Sequence, residues 1–204
     1  MWLDPRLGLV VALAAPVFPL GNYAESAAVL YGVLALGWLV LCWRDARWGL
    51  LFACGPLLAG AGLLALVPLA VQPAHGMVRR AAQAGGAVLS ALLVAGVAGE
   101  ELPLANQPAK PLGIGPLDPV SDAAITIWGS IAAFPITLAG VAGAAVMAAI
   151  LPLARRRSRW GVAAVGAVLT AWAIAAGAGF GSAVGLILVW AVAAVLAAGL
   201  RRPT

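Results

Sequence analysis

Charged side chains are scarce in this sequence. They make up 9% of the residues, hydrophobic residues make up 64%, and the mean hydropathy is +1.05. Almost every charge falls between long apolar runs rather than inside them. This composition excludes an ordinary water-soluble domain and places the chain in a lipid bilayer.

Groups that carry chemistry are also few. His75 is the only histidine and has no carboxylate or cysteine at ligand spacing, which argues against a metal site. Cys42 and Cys54 lack the C-x-x-C spacing of redox and zinc sites. Glu100 and Glu101 are adjacent, so nothing fixes them as an acid and base pair. With no kinase, hydrolase or nucleotide-binding signature, the sequence predicts no enzyme activity, no metal and no cofactor.

The apolar runs predict the fold class. A backbone in lipid must form helices or a closed barrel, and barrel strands would alternate apolar and polar residues. Here the runs are continuous, so we expect an all-α fold, a polytopic helical membrane bundle that forms a single integral membrane domain over residues 1–204. About six helices should span the membrane, together with one re-entrant or broken helical hairpin.

The predicted boundaries follow the breaks in the apolar pattern. Residues 99–120 are proline-rich and predict an external loop, and residues 121–134 predict an interfacial helix. The uncharged stretch 160–200 is about twice the length of one span, so it must bend, and Gly177–Ser182 is the predicted bend. The other expected spans are residues 2–20, kinked near Pro16 and Pro19, then 26–43, 81–98 and 135–153.

Residues 48–71 are long enough to cross the membrane but contain residues that interrupt helices. The segment either crosses fully or dips into the membrane and returns. The second interpretation keeps every arginine cluster on one side, as expected for cytoplasmic loops, so we favour a re-entrant hairpin. The interrupting residues are Gly55, Pro56, Gly60, Gly62 and Pro68.

The basic charge indicates a membrane face. The formal net charge is +5, and the arginines stand in short clusters beside apolar runs. This pattern is typical of the cytoplasmic ends of membrane helices and predicts anionic lipid, not nucleic acid, as the partner of the arginine-rich face. The expected location is a bacterial inner membrane with both termini cytoplasmic.

Several stretches of the chain carry a family resemblance. In order along the chain they resemble the multi-pass transmembrane region that follows the serine/threonine kinase catalytic domain in some actinobacterial proteins. The resemblance implies a membrane anchor or sensor beside a cytoplasmic kinase domain, which is absent from these residues. The stretches are Ala15–Asn22, Trp48–Leu58, Val78–Arg80, Pro111–Gly115 and Leu151–Arg157.

Two functions follow as hypotheses. The first is a non-catalytic membrane module that anchors a kinase-like protein or passes a signal to it, alone or as a homo-oligomer. The alternative is a small channel or transporter whose substrate path is formed by the Gly55–Gly62 hairpin. Coupled transport is disfavoured because the predicted spans lack an internal ionisable residue. The candidate functional residues are Gly55, Pro56, Gly60 and Gly62, with Pro16, Pro19 and Asn22.

Overall fold

The computed structural model describes residues 4–98, 118–132, 135–158, 160–177 and 179–199. All regular structure in these ranges is helical. Four stretches are long and apolar enough to cross a membrane: Pro5–Asn22, Glu25–Trp48, Ile136–Arg157 and Phe180–Gly199. The predicted helical class is therefore confirmed, while the predicted number of crossings exceeds these four.

The chain begins with a kinked helix that turns back on itself. Helix α1 (Pro5–Ala14) starts at Asp4, whose side chain accepts a hydrogen bond from the Arg6 N–H at 3.0 Å. After a break at Pro16, α2 (Val17–Tyr23) leads into α3 (Glu25–Cys42), which packs against both. The predicted kink is confirmed, but the break between the predicted spans 2–20 and 26–43 is shorter than expected, because only Ala24 separates α2 from α3. Pro19 falls in the first turn of α2, where no helical N–H is needed, so the helix continues through Asn22.

The segment after α3 changes direction repeatedly. A 3₁₀ helix covers Trp43–Trp48, a second covers Leu51–Ala53, and α4 follows at Cys54–Gly60. The chain then turns at Gly62, passes a 3₁₀ turn at Leu64–Leu66 and forms α5 (Val67–Ala70). The predicted interruption of residues 48–71 is therefore confirmed.

Helix α6 (Met77–Ala98) is the centre of the fold. Its 22 residues extend about 33 Å, and it packs against α8 (Pro135–Arg157), α4 and α5. Alanine and glycine line the contact with α8, including the fully buried Ala84 and Ala148. Small side chains let membrane helices approach closely, which accounts for this composition.

Two predicted boundaries of the long helices were wrong. Helix α6 starts at Met77, four residues before the predicted start, so Arg79 and Arg80 belong to its first turn. Helix α8 begins at Pro135 as predicted but runs beyond Leu153 to Arg157, because it continues through Pro152.

The remaining helices complete the bundle. Helix α7 (Val120–Ala132) packs on the start of α3 through the buried Ala24 and Ala123. The C-terminal pair is α9 (Gly161–Ala175) and α10 (Phe180–Gly199), joined by a turn in which Gly177 has φ 90°. The bend predicted there is confirmed. The predicted loop lies outside the described residues as far as 117, and so do residues 133 and 134 at the end of the predicted interfacial helix.

Candidate functional site: the broken hairpin

The segment Gly49–Gln72, here called the broken hairpin, leaves and rejoins the bundle at the same end of α6. Asp45 lies just before this segment and His75 lies just after it. Asp45 Oδ2 accepts a hydrogen bond from the backbone N–H of His75 at 2.8 Å. The His75 ring lies 3.2 Å from the same carboxylate. Arg79 Nε donates to the Leu41 carbonyl at 3.1 Å, which holds the start of α6 beside the end of α3. The flanks of the segment are therefore adjacent in space.

The outward arm of the hairpin lies directly on the backbone of α6. A Cβ atom placed on Gly55 would be only 1.8 Å from the Ala87 carbonyl oxygen, so no side chain fits between the two helices. Gly86 lies next to Ala87 on α6, and the Trp38 and Phe52 side chains pack closely over it. Gly55 is therefore a packing residue of the α4–α6 contact.

One buried glutamine satisfies the backbone where the hairpin departs from helical geometry. The Gln83 side chain is 1% exposed. Its Oε1 accepts the Phe52 N–H at 2.8 Å, and its Nε2 donates to the Gly49 carbonyl at 3.1 Å and to Cys42 Sγ at 3.3 Å. Trp38 Nε1 donates to the same Gly49 carbonyl at 2.8 Å. Unpaired backbone groups are costly in lipid, so these side chains make the break tolerable.

Two further side chains donate to carbonyls that a proline leaves without their usual helical partner. Pro56 has no N–H for the Phe52 carbonyl, and Ser90 Oγ lies 3.1 Å from that oxygen and 2.9 Å from the Ala87 oxygen. Pro152 has no N–H for the Ala148 carbonyl, and Gln72 Nε2 donates to it at 3.2 Å. The return arm of the hairpin is thus bonded to the proline position of α8.

The tip of the hairpin lies near the start of α10. Gly62 has φ 69°, a conformation that side-chain-bearing residues rarely adopt, and a Cβ there would be 2.9 Å from Ser182 Cβ. The Leu63 side chain lies beside Gly185 in the next turn of α10. Gly60, in contrast, is exposed with open space around its Cα. The hairpin therefore extends from the arginine-bearing end of α6 to the start of α10 in the C-terminal pair.

The seven candidate residues do not form one cluster. Gly55, Pro56, Gly60 and Gly62 lie along α4 and its following turn, which pack on α6 and α10. In contrast, α2 carries Pro19 and Asn22 after its N-cap Pro16, and this helix packs on α3.

Sequence reasoning missed the residues that support the hairpin backbone, which are Gln83, Gln72 and Ser90. Their signal was present, because an isolated polar residue in an apolar helix usually has an interhelical partner.

The described parts of the chain contain no group of three or more histidine, cysteine or carboxylate side chains that could hold a metal ion. No protein-family model, no curated protein and no solved structure matches the sequence.

Proposed function

We propose that the chain is a non-catalytic integral membrane module with about six crossings and one re-entrant hairpin. In this proposal it serves as the anchor or signal-input domain of a cytoplasmic kinase-like protein. The observation that carries the proposed topology is the contact between Asp45 and His75, which places both flanks of the broken hairpin at one end of the bundle. A segment that dips into a bilayer and returns requires this arrangement.

The distribution of charge supports the same topology. Arg6 stacks over Trp43 at 5.4 Å, and Arg79 and Arg80 begin α6. Helix α8 ends in arginines beyond its Ala148 carbonyl, which is bonded to Gln72, and Gln72 is in turn bonded to Arg80. Glu25 and Asp122 lie at the other end, where α7 packs on the start of α3. Arginine-rich ends of membrane helices stay cytoplasmic, so this end faces the cytoplasm in our proposal. The described arginines at this end are Arg6, Arg44, Arg47, Arg79, Arg80, Arg155, Arg156 and Arg157.

The packing of the hairpin favours the anchor over the channel or transporter. In the channel hypothesis Gly55 borders the substrate path, but it is pressed against the Ala87 carbonyl. The irregular backbone obtains its hydrogen bonds from Gln83, Trp38 and Ser90, so it does not need water in a pore. Reconstitution into vesicles provides the test: we expect no flux of ions or small solutes, and flux through the unaltered protein above that of protein-free vesicles would contradict the proposal.

The kinase-like partner rests on the family resemblance and has a separate test. We expect the coding sequence upstream of Met1 to contain an in-frame kinase catalytic domain, and the native protein to begin before Met1. A stop codon directly upstream, with Met1 confirmed as the native start, would contradict a fused kinase domain while leaving the membrane topology intact.

A further inference from the structure

Arg79 and Arg80 differ from the other described arginines in being half-buried rather than exposed. Each guanidinium is held by its Nε, which donates to the Leu41 carbonyl at 3.1 Å for Arg79 and to the Gln72 carbonyl at 3.3 Å for Arg80. A guanidinium carries five N–H donors, so most of each cationic group remains to bind an acceptor. The two side chains are thus ordered cations at the rim of the bundle.

The carboxylates at this end of the protein are already engaged elsewhere. Asp4 accepts from the Arg6 backbone N–H, and Asp45 accepts from the His75 backbone and ring. Over the described ranges, no arginine forms an ion pair with a carboxylate. Arg79 and Arg80 therefore form no direct ion pair with these carboxylates.

The position of these two cations in α6 has an energetic cost. Positive side chains in the first turn of a helix oppose its dipole, and a half-buried cation without an anionic partner loses hydration that is not fully replaced. An external anion would offset both costs. Planar guanidinium groups match phosphate oxygens well, often through two parallel hydrogen bonds.

The surroundings identify the source of that phosphate as a lipid. Met77 and Val78, in the same turn, expose apolar side chains to extents of 50% and 70%. Trp43, Trp48 and Trp160 are also exposed at this end, as is typical of side chains at the headgroup level of a bilayer. A free phosphate ion would use only the guanidinium groups, whereas a phospholipid would also cover Met77 and Val78.

We infer that Arg79 and Arg80 bind the headgroup phosphate of an anionic phospholipid, with its acyl chains against Met77 and Val78. The inference rests on the membrane location in the proposed function and adds a defined lipid site to it. Bound lipid would bridge the end of α3 and the return arm of the broken hairpin, because the two guanidinium groups are fixed to Leu41 and Gln72 respectively.

The test measures thermal unfolding of the full chain in detergent, with dioctanoyl phosphatidylglycerol as the probe. We expect dioctanoyl phosphatidylglycerol to raise the Tm. Equal concentrations of dioctanoyl phosphatidylcholine or inorganic phosphate should have little effect. An equal rise with phosphatidylcholine would overturn the anionic site, and an equal rise with inorganic phosphate would overturn the lipid as its source. These comparisons use the unaltered protein, so they do not depend on any variant folding.

Variants locate the site. Arg79→Gln and Arg80→Gln should each weaken the apparent affinity for phosphatidylglycerol about tenfold, as expected when a hydrogen bond to a charged group is lost. The matched control is Arg156→Gln, which removes the same charge from an exposed position at the same end and should stay within about twofold of the parent. Equal weakening in all three variants would overturn the defined site.

Failure of this site and failure of the proposed function are distinguishable. In proteoliposomes of phosphatidylcholine alone, impermeant labelling of a cysteine at position 75 reports the topology without anionic lipid. A cytoplasmic position 75 without any preference for phosphatidylglycerol would overturn only the lipid site. An external position 75 would overturn the topology as well.

Discussion

At the scale of single residues, the structure depends on polar side chains that replace missing backbone hydrogen bonds. Gln83 is the clearest case, because one fully buried amide serves the carbonyl of Gly49 and the N–H of Phe52. Water can pair such groups in a soluble protein, but lipid cannot. A single glutamine in the apolar helix α6 therefore stabilises the non-helical backbone of the broken hairpin beside it.

Replacing Gln83 by leucine should destabilise the protein markedly. Phe52 N–H would lose its partner, and Gly49 would keep only the bond from Trp38, so we expect a loss of about 2 kcal/mol in the free energy of unfolding. Chemical or thermal unfolding in detergent measures this loss. Asn22→Leu, which removes an exposed amide on α2, should change the stability by less than about 0.5 kcal/mol. Equal effects of the two variants would show that the Gln83 bonds do not stabilise the fold.

A methyl group at Gly55 should be among the most damaging small changes in the chain. Its Cβ would meet the Ala87 backbone at 1.8 Å, and backbone cannot move aside as a flexible side chain can. We expect Gly55→Ala to cost about 3 kcal/mol, because α4 must separate from α6. Gly60→Ala is the matched control on the same helix, since nothing lies within 4 Å, and it should be neutral or slightly stabilising. Thermal unfolding of the pair tests the close contact, which a neutral Gly55→Ala would contradict.

At the scale of helices, most of the described prolines mark starts rather than interruptions. Pro5, Pro19, Pro56, Pro68 and Pro135 all lie in the first turn of a helix, where N–H groups have no helical partner. Of the described prolines, only Pro152 lies beyond the first turn of a helix, and there Gln72 donates to the carbonyl that the proline leaves unpaired.

A double-mutant cycle tests the link between Gln72 and Pro152. Gln72→Leu should cost about 1 kcal/mol in the parent protein, and part of that cost should vanish in Pro152→Ala, because residue 152 then donates its own N–H to the Ala148 carbonyl. The residual cost comes from the bond to the Pro68 carbonyl. Combining Gln72→Leu with Pro16→Ala on the distant α2 should be additive. Additivity of Gln72→Leu with Pro152→Ala would contradict the proposed compensation.

Many helix boundaries and bends could be predicted from the sequence, because helices in lipid are delimited by charges, prolines and glycines. The kink near Pro16, the start of α8 at Pro135 and the bend at Gly177 followed from those signals alone. The early start of α6 could not be predicted from hydropathy, since Arg79 and Arg80 are bonded to carbonyls of other segments. The separation of Asn22 from Gly55 depends on tertiary packing, which a single sequence does not encode locally.

At the scale of the whole molecule, the charges and the hairpin both support the orientation proposed above. Arginines mark the end where the flanks of the broken hairpin meet, and Glu25 and Asp122 mark the other. A full crossing of the hairpin segment would have carried His75 to the acidic end. The central claim is therefore that positions 75 and 122 lie on opposite sides of the membrane.

The most direct test is impermeant maleimide labelling of single cysteines in intact cells, after replacement of Cys42 and Cys54 by alanine. His75→Cys and Asp122→Cys form a matched pair, because both side chains are exposed and lie at opposite ends of the bundle. The account predicts labelling of position 122 in intact cells and of position 75 only after the membrane is permeabilised. Labelling of position 75 in intact cells would contradict the re-entrant hairpin and the orientation derived from it.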